Sequence, residues 1–174
     1  MNVNPTVPEF WNHCRKTLSN LPEDIPETWA FGATPEHADG LLKLVLEGTK
    51  TGTASALWDY EHSGDTIPVV GEYSMILDGR GTPRALIEIT SVDIVAFNEV
   101  SEEHAHAEGE GDRSLASWRE AHEHFWRNYS ENPRGYEPDM PVVCERFRVL
   151  YPLHSELESH LPTQGVPSPT ATHN

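Results

Sequence analysis

Residues 48–60 read GTKTGTASALWDY, a stretch in which one glycine closes a helical pattern, a second opens a run of small and β-branched residues, and one lysine stands between them. Upstream, Thr34 can cap a helix and Pro35 suits its first turn. Ala38, Leu41, Leu42, Val45 and Leu46 then recur on one face, which predicts a helix that stops at Gly48. Downstream the period shortens from helical to alternating. Candidate strands lie in TASALW, GEYSMIL and RALIEITSVDIVAF, separated by the turn-rich segments EHSGD and DGRG. Helix followed by a small sheet predicts an α+β domain.

Working outward, Ser101 can cap a short helix through Ala107. A longer helix from Ser114 to Tyr129 carries Leu115, Trp118, His122, Phe125 and Tyr129 along one side. VVCERFRVL, near 142–150, returns to extended structure. At the N-terminus, Phe10, Trp11, Cys14 and Leu18 predict one buried stripe on a helix beginning near Pro8, interrupted by Pro22 and Pro26. Leu153, Leu157 and Leu161 recur at a spacing of four, consistent with a short helix. From Pro162 the residues PTQGVPSPTATHN, with three prolines, lack core-forming side chains and predict a flexible tail.

Composition narrows the functional classes. The chain has 174 residues, and 12 Lys plus Arg against 28 Asp plus Glu give a net charge of −16, so no polybasic footprint for tracking phosphates is ready-made. The length suits one domain, with or without an extension. A hydrophobic fraction of 37% and a mean hydropathy of −0.54 argue for a soluble, non-membrane protein. No apolar stretch approaches the roughly 20 residues a membrane helix needs. The first residues do not resemble a secretory signal, so the cytoplasm is the expected location. Cys14 and Cys144 are too few for a disulfide framework and too far apart in sequence for a clustered zinc motif.

With FGATPEHADGLLKLVLEG before it, FNEVSEEHAHAEGEGD after it and MPVVCERFRVLYP near the end, the GTKTGTASALWDY segment resembles the ASCH domain family, in its larger YhfF-like branch. The resemblance covers about residues 29–151. It leaves 1–28 as an N-terminal helical extension and 152–174 as a mostly flexible tail. It implies a small mixed PUA-like β-barrel flanked by helices, with a cleft beside the barrel that accepts a nucleic-acid component.

In the small members of that family that remove an acyl group from N4-acylated cytidine, a Lys, a Thr and a later Glu are held to do the chemistry. The matching positions are Lys50, Thr53 and Glu108. Amide hydrolysis needs a nucleophile, a route for its proton and positive character near the oxyanion. On that reading Thr53 attacks, Lys50 moves a proton or stabilises charge, and Glu108 orients Lys50 or serves the leaving amine. The sequence departs from the small hydrolases at Ser55, where they carry an Arg. A short neutral side chain there cannot make the paired hydrogen bonds of a guanidinium, so the ligand differs or Arg80, Arg84 or Arg119 substitutes.

Other candidates are open to two explanations. Trp58 and Tyr60, near the first strand, can stack on a base or pack the core. In the GEGD segment, Asp112 can approach a ligand or simply cap the next helix. Among the ten histidines, His104, His106, His122 and His124 with Glu108 invite a metal. With no HExxH motif, however, the spacing reads as dispersed surface histidines.

Three classes of function follow. One is a hydrolase acting on RNA or a modified nucleoside, either an N4-acylcytidine amidohydrolase or a ribonuclease, the latter with a divalent metal whose ligands the sequence does not identify. The second is a noncatalytic RNA-binding regulatory module, and the third a small-ligand binding domain. A second copy of the chain is a candidate partner in each.

Overall fold

The structure is a computed structural model and describes residues 3–158. The tail expected from Pro162 lies outside the described residues.

Five strands form one mixed sheet: β1 (Glu27–Trp29), β2 (Gly52–Ala56), β3 (Tyr73–Leu77), β4 (Pro83–Ala96) and β5 (Pro141–Tyr151). They lie in the order β1-β3-β4-β5-β2, with β1 parallel to β3 and the other pairs antiparallel. The long strand β4 shifts register against β5 between Leu86 and Ile87 and again between Ile89 and Ser91. Such irregularities bend a strand and strengthen its twist. The sheet therefore curls into a half-barrel flanked by helices, the α+β architecture expected, with edges β1 and β2 unpaired to each other.

Among the described residues six α-helices surround it: α1 (Val7–Thr17), α2 (Pro35–Leu46), α3 (Leu57–Ser63), α4 (Glu102–Glu108), α5 (Leu115–Tyr129) and α6 (His154–Glu158). Capping fixes most starts. Thr6 and Glu9 form a reciprocal capping box at α1, and the Thr34, Ser101 and Ser114 hydroxyls accept from backbone N–H groups at α2, α4 and α5. The TASALW segment differs from expectation. The strand ends at Ala56, and Leu57, Trp58 and Tyr60 belong to helix α3, which stops at the left-handed Gly64.

Strand alternation sorts side chains onto two faces. Along β5, Val142 and Cys144 join Ala54, Ala56, Trp58, Phe97, Trp118 and Trp126 in a core beneath α4 and α5. Phe147 and Val149 face the other way, with Phe31, Leu41, Leu42, Val45, Ile76, Ile87 and Ile89 beside α2. A third cluster seats Phe10, Trp11 and Cys14 of α1 on Met75, Leu86 and Tyr151. No helix among the described residues is long and apolar enough to cross a membrane.

Candidate functional site

Lys50 enters the interior because the chain reverses after α2: the backbone N–H groups of Thr49 and Lys50 both donate to the Leu44 carbonyl at 3.0 Å. From the other side comes the end of α4. Thr51 N donates to the Ala107 carbonyl at 2.7 Å, stitching the two segments together. Their close approach requires glycine at 109. Its φ is +74°, and a Cβ there would stand 2.5 Å from the Thr49 carbonyl oxygen.

This packing brings Lys50 and Glu108 together, each side chain 1% exposed, with Nζ 3.5 Å from Oε2. Nζ also donates to the Glu108 carbonyl and to Glu110 Oε2, both at 3.4 Å, so the ammonium has two hydrogen-bond acceptors besides its ion-pair partner. The Phe31 ring lies 5.3 Å below it.

Glu108 is equally occupied. Oε1 accepts from His104 Nε2 and from Trp118 Nε1, both at 2.8 Å, while Oε2 lies 3.2 Å from His122 Nε2 in addition to Lys50. Four donors fill the roughly four acceptor sites of a carboxylate. Burial alone would raise the Glu108 pKa. The His122 charge, hydrogen bonds from both histidines and the Lys50 charge outweigh it and hold the group well below its usual 4.5. His122 is the counterpart: burial lowers its pKa, but Glu108, then Glu110 and the Trp118 carbonyl, carry it above 6.5. Its ring stacks on Trp118 at 4.1 Å, with Nδ1 2.8 Å from the Trp118 carbonyl oxygen.

The reading of the histidines as dispersed surface residues is thereby corrected for two of them. His104 reaches Glu108 from one turn away on α4, and His122 reaches it from α5, so helix packing rather than local spacing unites them. His106 and His124 are exposed. The atoms of Glu108, Glu110 and His122 lie within 4.8 Å of one another and form an acidic and histidine cluster that could hold a metal ion. The Lys50 ammonium, however, already lies against both carboxylates there, so a metal would have to displace it.

The other expected site residues scatter. Thr53 is half-buried on β2, directly opposite Glu145 of β5, and none of the hydrogen bonds to Lys50 or Glu108 among the described residues involves it. Ser55 shares its side of β2 and shares a hydrogen bond with Tyr60. Burial, with Glu145 nearby, pushes the Tyr60 phenol up to about 12. Trp58 is core, and the Arg134 guanidinium covers its ring at 3.4 Å. Exposed Asp112 accepts from Ser114 N at the start of α5, and Arg119 donates to the Asn98 carbonyl. Of these, Trp58, Asp112 and Arg119 have structural partners, and Ser55 lies on the edge strand β2 with Tyr60 of α3 beside it.

The described cations do not assemble into a basic groove. Lys43, Arg84, Arg127, Arg134, Arg146 and Arg148 each pair with a carboxylate, and Arg113 donates to the His106 and Thr49 carbonyls. A groove of about 370 Å³ beside α4 is lined by Asp93, Glu99, Glu103, His104, Cys144 and Arg146 among others, and is acidic on balance. Burial, then the charges of Glu108 and Asp93, push the Cys144 thiol up to about 12, far from a reactive thiolate.

Comparison with known proteins agrees with this architecture. The chain is 33% identical to an ASCH domain from Lactobacillus crispatus JV V101, with a TM-score of 0.73 over 80% of this chain and 91% of that one. It is 35% identical to a protein from Enterococcus faecalis V583, with a TM-score of 0.73 over 91% of this chain and 98% of that one. No curated protein matches it. The ASCH domain model matches residues 27–151, from β1 to the end of β5, and the chain belongs to the ASCH domain family.

Proposed function

We propose that this chain is a noncatalytic binding module for a nucleic-acid component, an unpaired RNA base or a modified nucleoside, received at the half-barrel edge where Thr53, Ser55 and Tyr60 present hydroxyls. One observation carries the reading: both members of the Lys50–Glu108 centre are 1% exposed and engaged within the protein. The ammonium donates to the Glu108 carbonyl and to Glu110 and lies 3.5 Å from the Glu108 carboxylate, which accepts from His104 and Trp118 and lies 3.2 Å from His122, so neither group is open to a substrate. The centre then works as a buried strut that fixes α4 against the start of β2. The paired cations favour recognition of a base over tracking of a phosphate backbone.

A hydrolytic reading has one observation in its favour, the convergence of Lys50 with Glu108, and on it Thr53 would be the nucleophile. The two readings separate in one experiment. Purified protein is titrated with nucleosides, N4-acylated cytidines and short single-stranded RNAs, with turnover followed in parallel, both with chelator and with added metal. Saturable binding with unchanged ligand supports the module. Turnover lost in Lys50→Ala and Glu108→Gln rejects it in favour of the hydrolase.

A further inference from the structure

The open side of the half-barrel carries charge that no described residue neutralises. Its centre is Glu145, 4% exposed in the middle of β5, on the face shared with Thr53 and Val92. It accepts no hydrogen bond and joins no ion pair among the described residues, although Arg146 and Arg148 beside it are paired elsewhere, with Glu103 and Glu88. Among those residues Arg119 Nε is the one sealed side-chain polar atom lacking a partner. The Glu145 oxygens, also lacking one, are therefore not fully sealed, and the pairing with Thr53 of β2 together with the field of Glu27 of β1 places the carboxyl by the seam between the two sheet edges.

Carboxylates face it across that seam. Burial, then Glu27 of β1, Glu72 in the turn before β3, and Glu108 of α4, push Glu145 up to about 7. Glu108 is neutralised by its own partners. Glu27 and Glu72 join no ion pair among the described residues, and Glu72 accepts only from Val69 N. Tyr60 of α3 and the hydroxyls of Ser55 and Thr53 complete the lining.

An ionised carboxylate with so little access to water, beside two others, is costly unless a cation joins it, and the same field repels phosphate. We infer that this seam receives a positive charge, and that the ligand is a nucleoside or unpaired base carrying a fixed cation on its ring, as N-methylation of a cytosine or adenine ring nitrogen creates. It enters base first, the charged edge against Glu145 and between Glu27 and Glu72, with the hydroxyls of Thr53, Ser55 and Tyr60 meeting its neighbouring polar atoms and the sugar turned outward. This rests on the base-binding reading above and sharpens it. Any neutral base can stack or hydrogen-bond, but only a cationic one supplies what Glu145 lacks.

The test titrates the full chain with matched pairs, cytidine against 3-methylcytidine and adenosine against 1-methyladenosine, with 1,4-diaminobutane and magnesium chloride as separate arms. Titrations run about one pH unit above and below the Glu145 midpoint near 7. The methylated member of each pair should bind roughly tenfold or more tightly above the midpoint, the preference shrinking below it as the carboxyl protonates. Glu145→Gln should abolish the preference, and Glu27→Gln should reduce it, with thermal melting confirming that both variants fold. Equal binding of both members, unaffected by Glu145→Gln, overturns the cation inference and leaves base binding standing. Failure of every nucleoside overturns the base-binding reading itself. Binding of diaminobutane or magnesium without any nucleoside overturns the assignment of the ligand.

Discussion

Lys50 Nζ and Glu108 Oε2 lie 3.5 Å apart in a place where water does not reach either side chain. The two residues are 58 positions apart in sequence, so the contact fixes the start of β2 to the end of α4. Removing one partner strips a charge from a buried network whose other members remain, which typically costs about 1–3 kcal/mol. Lys50→Met and Glu108→Gln should each lower stability on that scale in urea denaturation, and the double variant should lose less than the sum. Singles that unfold at the wild-type midpoint would show that the pair does not hold the fold.

The network should also leave a signature in pH. Glu108 has a depressed folded pKa, so its stabilisation is present above its unfolded value near 4.5 and is lost as pH falls through the lower folded one. His122 has a raised pKa, so its contribution is full below 6.5 and is lost as pH rises through the folded value. Stability should be highest between those limits. His122→Phe should flatten the alkaline limb, measured as melting temperature against pH, and also shrink the acid limb, because the His122 charge does most to hold Glu108 low.

Glu145 has the opposite sign to Glu108. Its folded pKa of about 7 lies above the usual 4.5, so the fold loses stability as pH rises across that interval. Glu145→Gln removes the charge without removing the shape. The variant should match the wild type near the lower limit and exceed it by about 3 kcal/mol above the upper one, at roughly 1.4 kcal/mol for each pH unit between the two. A variant less stable than wild type at every pH would mean that the carboxylate has a partner.

Gly109 should tolerate no side chain. Gly109→Ala combines a left-handed backbone with a methyl 2.5 Å from the Thr49 carbonyl, and a loss of about 1–3 kcal/mol is expected. Faster amide exchange at Thr51, whose N–H bonds the Ala107 carbonyl, would locate the damage.

The sequence made the framework legible because caps and periodicity are local. Thr34, Ser101 and Ser114 start helices where their spacing predicts, β3 falls within its expected segment, and β4 and β5 match theirs to within one residue at either end. Helix α3 was hidden because Leu57 and Trp58 extend an alternating run, and only Gly64 marks the end of a helix instead. The site was half legible. Lys50 and Glu108 emerge from family resemblance, whereas His104, Trp118 and His122 meet Glu108 only after α4 and α5 pack together. Glu145 gave one local signal, a carboxylate between Val143 and Phe147 in the alternation of β5, whose meaning depends on the absence of a partner that no sequence displays.

The unpaired edges of the half-barrel have one more consequence, for crowded solution. An exposed strand edge is a template on which another copy can add a strand, and β1 and β2 are such edges. Any copy approaching this seam would bring its own Glu27, Glu72 and Glu145 toward the same three residues. Like charge at the seam thus opposes such an edge-to-edge approach, most strongly in dilute salt and less as counterions screen it.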